Sequence, residues 1–235
     1  AVLAAIREAA NPMLRRYPDS TATPVRKTFA EANGLLPENV FVANGSDEIF
    51  TLLFRGFIDP EGLALFPYPS YSLYYTLAEA NGVTFKIMDL NDDFSYNLDR
   101  FLEVRADLII IANPNNPTGT GCDTADIRRF LKTYRGLLVV DEAYIDFGGE
   151  SAIGLVGEFD NIIVTRSFSK SYSLAGLRVG LAIASTDIIR GFIKLKDSYN
   201  VDSLAIAGAR AALLDRRTFE SQLAMIRNNR DYLIE

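Results

Sequence analysis

The 235-residue sequence contains no histidine. That absence removes the Ser-His-Asp and Cys-His machineries together with the commonest transition-metal ligand, so no metal site is expected. A single cysteine, Cys122, excludes an internal disulfide and agrees with a reducing compartment. No segment approaches the ~20 apolar residues of a membrane span, and the first residues lack a basic flank followed by an apolar signal core. A cytoplasmic protein with no membrane partner is therefore expected. Positive charge is in deficit as well. The formal net charge of -6 argues against a general nucleic-acid surface, while leaving room for local cations that hold one phosphate. No internal repeat, low-complexity tract or Pro/Gly/Ser linker divides the chain. With 49% apolar residues, its length suits one large domain with a sizeable core.

Short apolar runs alternate with helical patterns along the chain. Strands are predicted at Val40 to Ala43, Leu63 to Phe66, Thr84 to Met88, Leu108 to Ala112, Leu137 to Val140, Ile162 to Val164 and Val179 to Ala184. Between them, Thr23-Pro24 reads as an N-cap with proline at the first helical position, and Asn33-Gly34 as the stop of that helix. Ile49, Leu52, Leu53 and Phe57 recur at helical spacing after the tight turn Asn44-Gly45-Ser46. The segment from Pro67 to Tyr71 is expected to start a helix that ends at Asn81-Gly82, and Asp123 to cap one with Ile127, Phe130, Leu131 and Tyr134 inside. Helices are expected at Val2 to Ala10 and from Thr186 to Glu235, the last with Phe219, Leu223, Ile226 and Leu233 on one face. Near-continuous apolar strands separated by helices predict an α/β fold: a three-layer α/β/α sandwich around a seven-stranded, mainly parallel sheet.

The chemistry is expected at Lys170, in the run Thr165-Arg166-Ser167-Phe168-Ser169-Lys170-Ser171. It stands past the carboxyl end of a buried strand, where open α/β sheets place ligands, with hydroxyls on both sides and Arg178 downstream. An amine that attacks a carbonyl must spend time deprotonated, and fixed cations and partial desolvation arrange that, so a Schiff-base lysine is the working hypothesis. Three further stretches fall just past strand ends: Gly45-Ser46-Asp47, the two-proline turn Asn113 to Gly119 with Asn116, and Asp141-Glu142-Ala143-Tyr144. A parallel sheet would gather all four on one edge.

Together these motifs, with Leu177-Arg178-Val179-Gly180, resemble the fold-type I aminotransferases that use pyridoxal 5'-phosphate, and within them the histidinol-phosphate aminotransferase group. The resemblance covers almost the whole chain and rests on the order and spacing of the motifs, since each alone is weak. It implies a transaminase with small-molecule amino-group donor and acceptor. Lys170 would carry the cofactor and then act as general acid and base; Asp141 would face the pyridine nitrogen; Asn116 and Tyr144 would hydrogen-bond the phenolic oxygen; and Tyr71 would stack on the ring. For the phosphate it implies Ser46 and the backbone N–H of Asp47 at a helix N-terminus, the Ser167 hydroxyl and Arg178. A homodimer follows from the same resemblance, with the partner subunit's Tyr17 touching the phosphate. Local sequence alone also admits structural readings: Asp141 as a turn cap, the lesser of its two readings, Asn116 as a turn former, Tyr144 and Tyr71 as core residues, and Tyr17 as part of a polar loop.

Family members also carry a substrate-contacting segment before the position of Ala1, and beyond Glu235 a smaller domain with an arginine for the substrate carboxylate. Residues 1–235 are therefore expected to be the cofactor-binding large domain of a longer protein, with a helix and dimer-contact loop at 1–22 and a helix leading to the small domain at 216–235. The motif set leaves open an aromatic amino acid aminotransferase, a lyase such as a threonine-phosphate decarboxylase, and a non-catalytic aminotransferase-like effector module.

Overall fold

Seven strands form one sheet in the order β1-β7-β6-β5-β4-β2-β3. The computed structural model describes residues 1–234. In chain order the main elements are α1 (Val2–Ala9), α2 (Thr23–Ala32), β1 (Val40–Asn44), α3 (Ser46–Gly56), β2 (Leu63–Tyr68), α4 (Leu73–Ala80), β3 (Thr84–Asp89) and α5 (Leu98–Leu102). They continue with β4 (Leu108–Ala112), α6 (Thr124–Thr133), β5 (Leu137–Asp141), β6 (Ile162–Ser167), β7 (Val179–Ala184), α7 (Thr186–Leu195), α8 (Ser203–Leu214) and α9 (Arg216–Ile234).

Strands β2 to β6 pair in parallel, and β7 runs antiparallel to both β6 and β1. Two reversals cancel, so β1 points the same way as β6. The carboxyl ends of β1, β4, β5 and β6 therefore share an edge with the start of β7, where Asn44 pairs with Val179 and Ser167 with Gly180.

The two-residue period of a strand sends neighbouring side chains to opposite faces, and here both faces are apolar. Ile109 and Ile111 of β4 join a core layer with Phe29, Phe101, Ile127 and Phe130, supplied by α2, α5 and α6. Leu108 and Ile110 turn to the other layer, with Ile49 and Phe50 of α3, Tyr74 of α4 and Phe192 of α7. This is the three-layer sandwich expected from the apolar runs. Edge strand β3 is largely solvent-exposed and carries Lys86, as an edge exposed to unwanted pairing requires.

Several local expectations are corrected. Pro67 and Tyr68 continue β2 rather than opening a helix, and α4 begins only at Leu73, so Tyr71 lies ahead of it. Thr23 is already helical: the cap position is Ala22, in the left-handed region, and the Asp19 carboxylate accepts from the N–H groups of Thr21 and Thr23. Asp123 sits at the cap of α6 without a side-chain hydrogen bond, and the Glu150 carboxylate takes the Thr124 N–H instead. In α9, Phe219 and Leu223 are buried but Leu233 is exposed. Among the described residues, no helix is long and apolar enough to cross a membrane.

Candidate active site

A cleft of about 200 Å³ opens at the shared strand edge, lined by Ser46, Asp47, Tyr71, Asn116, Asp141, Tyr144, Ser167, Lys170 and Arg178. All the expected site residues except Tyr17 thus meet in one place. Tyr17 does not line the cleft; it is 80% exposed and stacks on Tyr199, with ring centroids 4.4 Å apart and planes within 8°.

The Asn113 to Gly119 turn follows β4 and is fixed by its own asparagines. Buried Asn113 accepts from the Cys122 N–H and donates to its carbonyl, closing the base of the turn. Asn115 donates to the Pro69 carbonyl and to Thr118 Oγ1 and accepts from Ser70 Oγ, which ties the turn to the segment carrying Tyr71. Asn116 is left facing the cleft with no side-chain hydrogen bond among the described residues. Burial pushes the Cys122 thiol up to about 12.

Asp141 ends β5 at the floor of the cleft and is only 5% exposed. Its Oδ2 accepts from the Tyr74 hydroxyl at 2.6 Å, and its Oδ1 from Thr165 Oγ1 at 2.8 Å and the Ala143 N–H at 3.1 Å. Burial raises its pKa above the ordinary value, and these donors pull the other way. Neither Tyr74 nor Thr165 was expected from the sequence. The available signal for Tyr74 was its three-residue spacing from Tyr71, whose ring it meets edge-on at 5.6 Å.

Ser167 closes β6, and its Oγ accepts from the Ser169 N–H, leaving its proton free to be donated into the cleft. The Lys170 Nζ lies over the Tyr144 ring, 5.1 Å from its centre. The expected desolvation of Lys170 is not found, because its side chain is exposed at the cleft mouth. The flanking hydroxyls also divide: Ser169 lines the cleft, whereas Ser171 is buried behind it and donates to Asp146.

At the other end of the cleft, α3 begins without a side-chain cap, so the backbone N–H groups of its first turn and its positive dipole end face the opening. Glycines make this approach possible. A Cβ on Gly180 would fall 2.5 Å from Ser46 N, and one on Gly45, whose φ is +79°, would fall 2.6 Å from Arg178 Nη2. Arg178 itself is held in the left-handed region at φ 51° and pairs with Asp47 Oδ2 at 3.0 Å. The Asp47 carboxylate thus engages the arginine.

These residues fit a phosphorylated pyridine aldehyde on chemical grounds: an uncapped helix end, an arginine and a hydroxyl at one end, a buried carboxylate at the floor, and an accessible amine at the mouth. The model of the family described as aminotransferase class I and II matches residues 1–235. The chain is 43% identical over 233 residues to histidinol-phosphate aminotransferase of Geotalea uraniireducens (strain Rf4), covering 98% of this chain and 66% of that protein. With histidinol-phosphate aminotransferase of Acetobacter pasteurianus it shares 40% over 237 residues, covering 99% and 66%. The chain therefore spans just under two thirds of the length of these curated relatives. The crystal structure of histidinol-phosphate aminotransferase from Sinorhizobium meliloti in complex with pyridoxal-5'-phosphate superposes with a TM-score of 0.92 at 26% identity, over 99% of this chain and 65% of that one. Fold, cleft chemistry and sequence agree that the chain belongs to the class I and II aminotransferase family.

Proposed function

We propose that this protein is a pyridoxal 5'-phosphate-dependent transaminase exchanging an amino group between histidinol phosphate and 2-oxoglutarate, with imidazole acetol phosphate and glutamate as products, in histidine biosynthesis. The observation that carries the reaction class is the convergence of Lys170, Asp141 and Arg178 with the open end of α3 on one cleft. The choice of histidinol phosphate is supported by relatives of that name at 43% and 40% identity.

When bound, the cofactor supplies an aldehyde that takes up the amino group and a protonated ring that draws off the electron pair left at the substrate's α-carbon. Ser46 and Asp47 would offer backbone N–H groups to the phosphate, with Ser167 Oγ and the Arg178 guanidinium as side-chain donors. The Asp141 carboxylate would hold a proton on the ring nitrogen, and Tyr74, Thr165 and the Ala143 N–H fix the carboxylate in place. Asn116 and Tyr144 would donate to the phenolic oxygen, and the Tyr71 ring would cover one face. Lys170 Nζ would anchor the cofactor, be released by the substrate amine, and then take the proton from the α-carbon. An exposed amine suits that exchange, because the incoming substrate must reach the same place.

Residues 1–235 act in this reading as the cofactor-binding large domain of a cytoplasmic enzyme. We assign the chain a homodimer in which the partner subunit's Tyr17 reaches the phosphate end. The exposed apolar side chains of Leu3, Met13, Leu14 and Tyr17 support a covered face there.

The test is the half-reaction of the full-length protein, followed by the spectrum of the cofactor. Histidinol phosphate is expected to convert it to the amine form far faster than histidinol or phenylalanine. Preference for phenylalanine would point to an aromatic aminotransferase, and carbon dioxide release from threonine phosphate without amine-form cofactor would point to a lyase. Borohydride reduction with pyridoxal 5'-phosphate should label Lys170; label on another lysine would refute its assignment.

A further inference from the structure

Four of the residues assigned to the cofactor, Asp141, Tyr144, Ser167 and Lys170, have near neighbours in sequence that turn away from the cleft, and these neighbours meet. Glu142 follows Asp141, Arg166 precedes Ser167, Ser171 follows Lys170, and Asp146 lies in the 3₁₀ turn Ile145–Phe147 directly after Tyr144. At the strand ends this separation is the two-residue alternation of side chains, which sends a cleft residue forward and its neighbour back.

Asp146 is the hub of the group. Its Oδ2 accepts from Ser171 Oγ at 2.6 Å, and its Oδ1 from Arg166 Nη1 at 3.2 Å. Ser171 is wholly buried, so the bond to Asp146 is its route to satisfaction. Arg166 reaches back to Ser151 Oγ at 3.0 Å and lies 2.9 Å, Nε to Oε2, from the buried Glu142. That second contact is a close ion pair set off the angle of a hydrogen bond, which leaves Nε without a hydrogen-bond acceptor. The remaining tie comes from α9, where Arg227 Nη2 donates to the Asp146 carbonyl at 2.6 Å.

We infer that Asp146 is a positioning residue for the reaction: through Ser171 it fixes the Lys170 turn against the turn that carries Tyr144. Among the described residues the Ser171–Asp146 bond is the one side-chain hydrogen bond between the turn that follows β6 and the Tyr144 turn, Arg166 at the end of β6 reaching the other oxygen of Asp146, and Lys170 Nζ lies 5.1 Å from the centre of the Tyr144 ring. Asp146 does not line the cleft, so it acts on the chemistry only through the residues it holds. Proton transfer is sensitive to such placement, because an amine displaced by a fraction of an ångström loses its line to the α-carbon. The inference rests on the assignment of Lys170 as the cofactor-bearing lysine.

The experiment compares Ser171→Ala, Asp146→Ala and the double variant in the full-length protein loaded with pyridoxal 5'-phosphate. Borohydride labelling of Lys170 in the parent is checked first, so failure of the lysine assignment is seen separately. Three quantities are read: visible circular dichroism of the bound cofactor, which reports its orientation; the single-turnover rate with histidinol phosphate; and the concentration at which that rate saturates. Each single variant is expected to change the dichroic band and slow the step by roughly ten- to a hundredfold, with saturation little altered. The double variant should be no slower than the slower single one, because the bond that Ser171→Ala removes is already lost in Asp146→Ala. Unchanged dichroism and rate in Ser171→Ala would overturn the inference, even if Asp146→Ala fails to fold. Additive slowing in the double variant would also overturn it, since Asp146 would then act by another route.

Discussion

The Tyr74 hydroxyl donates to Asp141 Oδ2 at 2.6 Å from a ring with no solvent exposure. That bond joins α4 to the end of β5 and is the only protein donor on that oxygen among the described residues. Tyr74→Phe keeps the ring and its edge contact with Phe50 at 5.0 Å, but orphans a buried carboxylate oxygen. It should cost about 1–3 kcal/mol of stability. Urea unfolding of the cofactor-free protein checks this, and a change within error would mean that water or rearrangement replaces the phenol.

Asp141 should also leave a mark on the pH dependence of stability. Burial raises its folded-state pKa above the ordinary 3.8 that applies to the unfolded chain. Between those two values the native state holds a proton that the unfolded state has lost, so stability falls as pH rises through the window. Glu142, raised by burial against the opposing charge of Arg166, acts in the same direction above its ordinary 4.5. Asp141→Asn cannot titrate. The melting temperature of this variant relative to the parent, both without cofactor, should therefore climb as pH rises above the unfolded value of 3.8. A difference that stays flat with pH would show that Asp141 titrates alike in both states.

Gly180 is where β7 touches the start of α3. In Gly180→Ala the new methyl would sit 2.5 Å from Ser46 N and 2.6 Å from Gly45 C, both backbone atoms that cannot swing aside. Overpacking of this kind costs about 1–3 kcal/mol, and the helix end that offers N–H groups to the phosphate must move. Weaker binding of pyridoxal 5'-phosphate by fluorescence titration is expected. Gly176→Ala, with nothing within 4 Å of the added methyl, is the control that should bind normally.

The Arg178–Asp47 pair separates stability from binding. Its side chains are 46% and 47% exposed, and exposed ion pairs contribute at most about 1 kcal/mol. Arg178→Ala should thus unfold almost as the parent does. Its loss of a charge-assisted phosphate contact, about 1.5–3 kcal/mol, should weaken cofactor binding roughly ten- to a hundredfold. Equal affinity in the two proteins would remove Arg178 from the phosphate site.

The sequence by itself determined the strands and their order of motifs. The bounds of β4 and β7 are those expected from apolar runs between turn residues, and the loops after β1, β4, β5 and β6 carry the residues that line the cleft. Such features depend on near neighbours: side-chain period, glycine and proline in turns, and the parallel direction that two-sided burial imposes. Tertiary structure decided which side chains become partners. Tyr74 meets Asp141 across 67 residues and Arg178 meets Asp47 across 131, distances over which no local pattern speaks. Packing also turned Ser171 inward to Asp146 and left Lys170 exposed where desolvation was expected. Local periodicity assigns a residue to a face of its element, whereas its burial and its hydrogen-bond partners depend on which distant segment packs there.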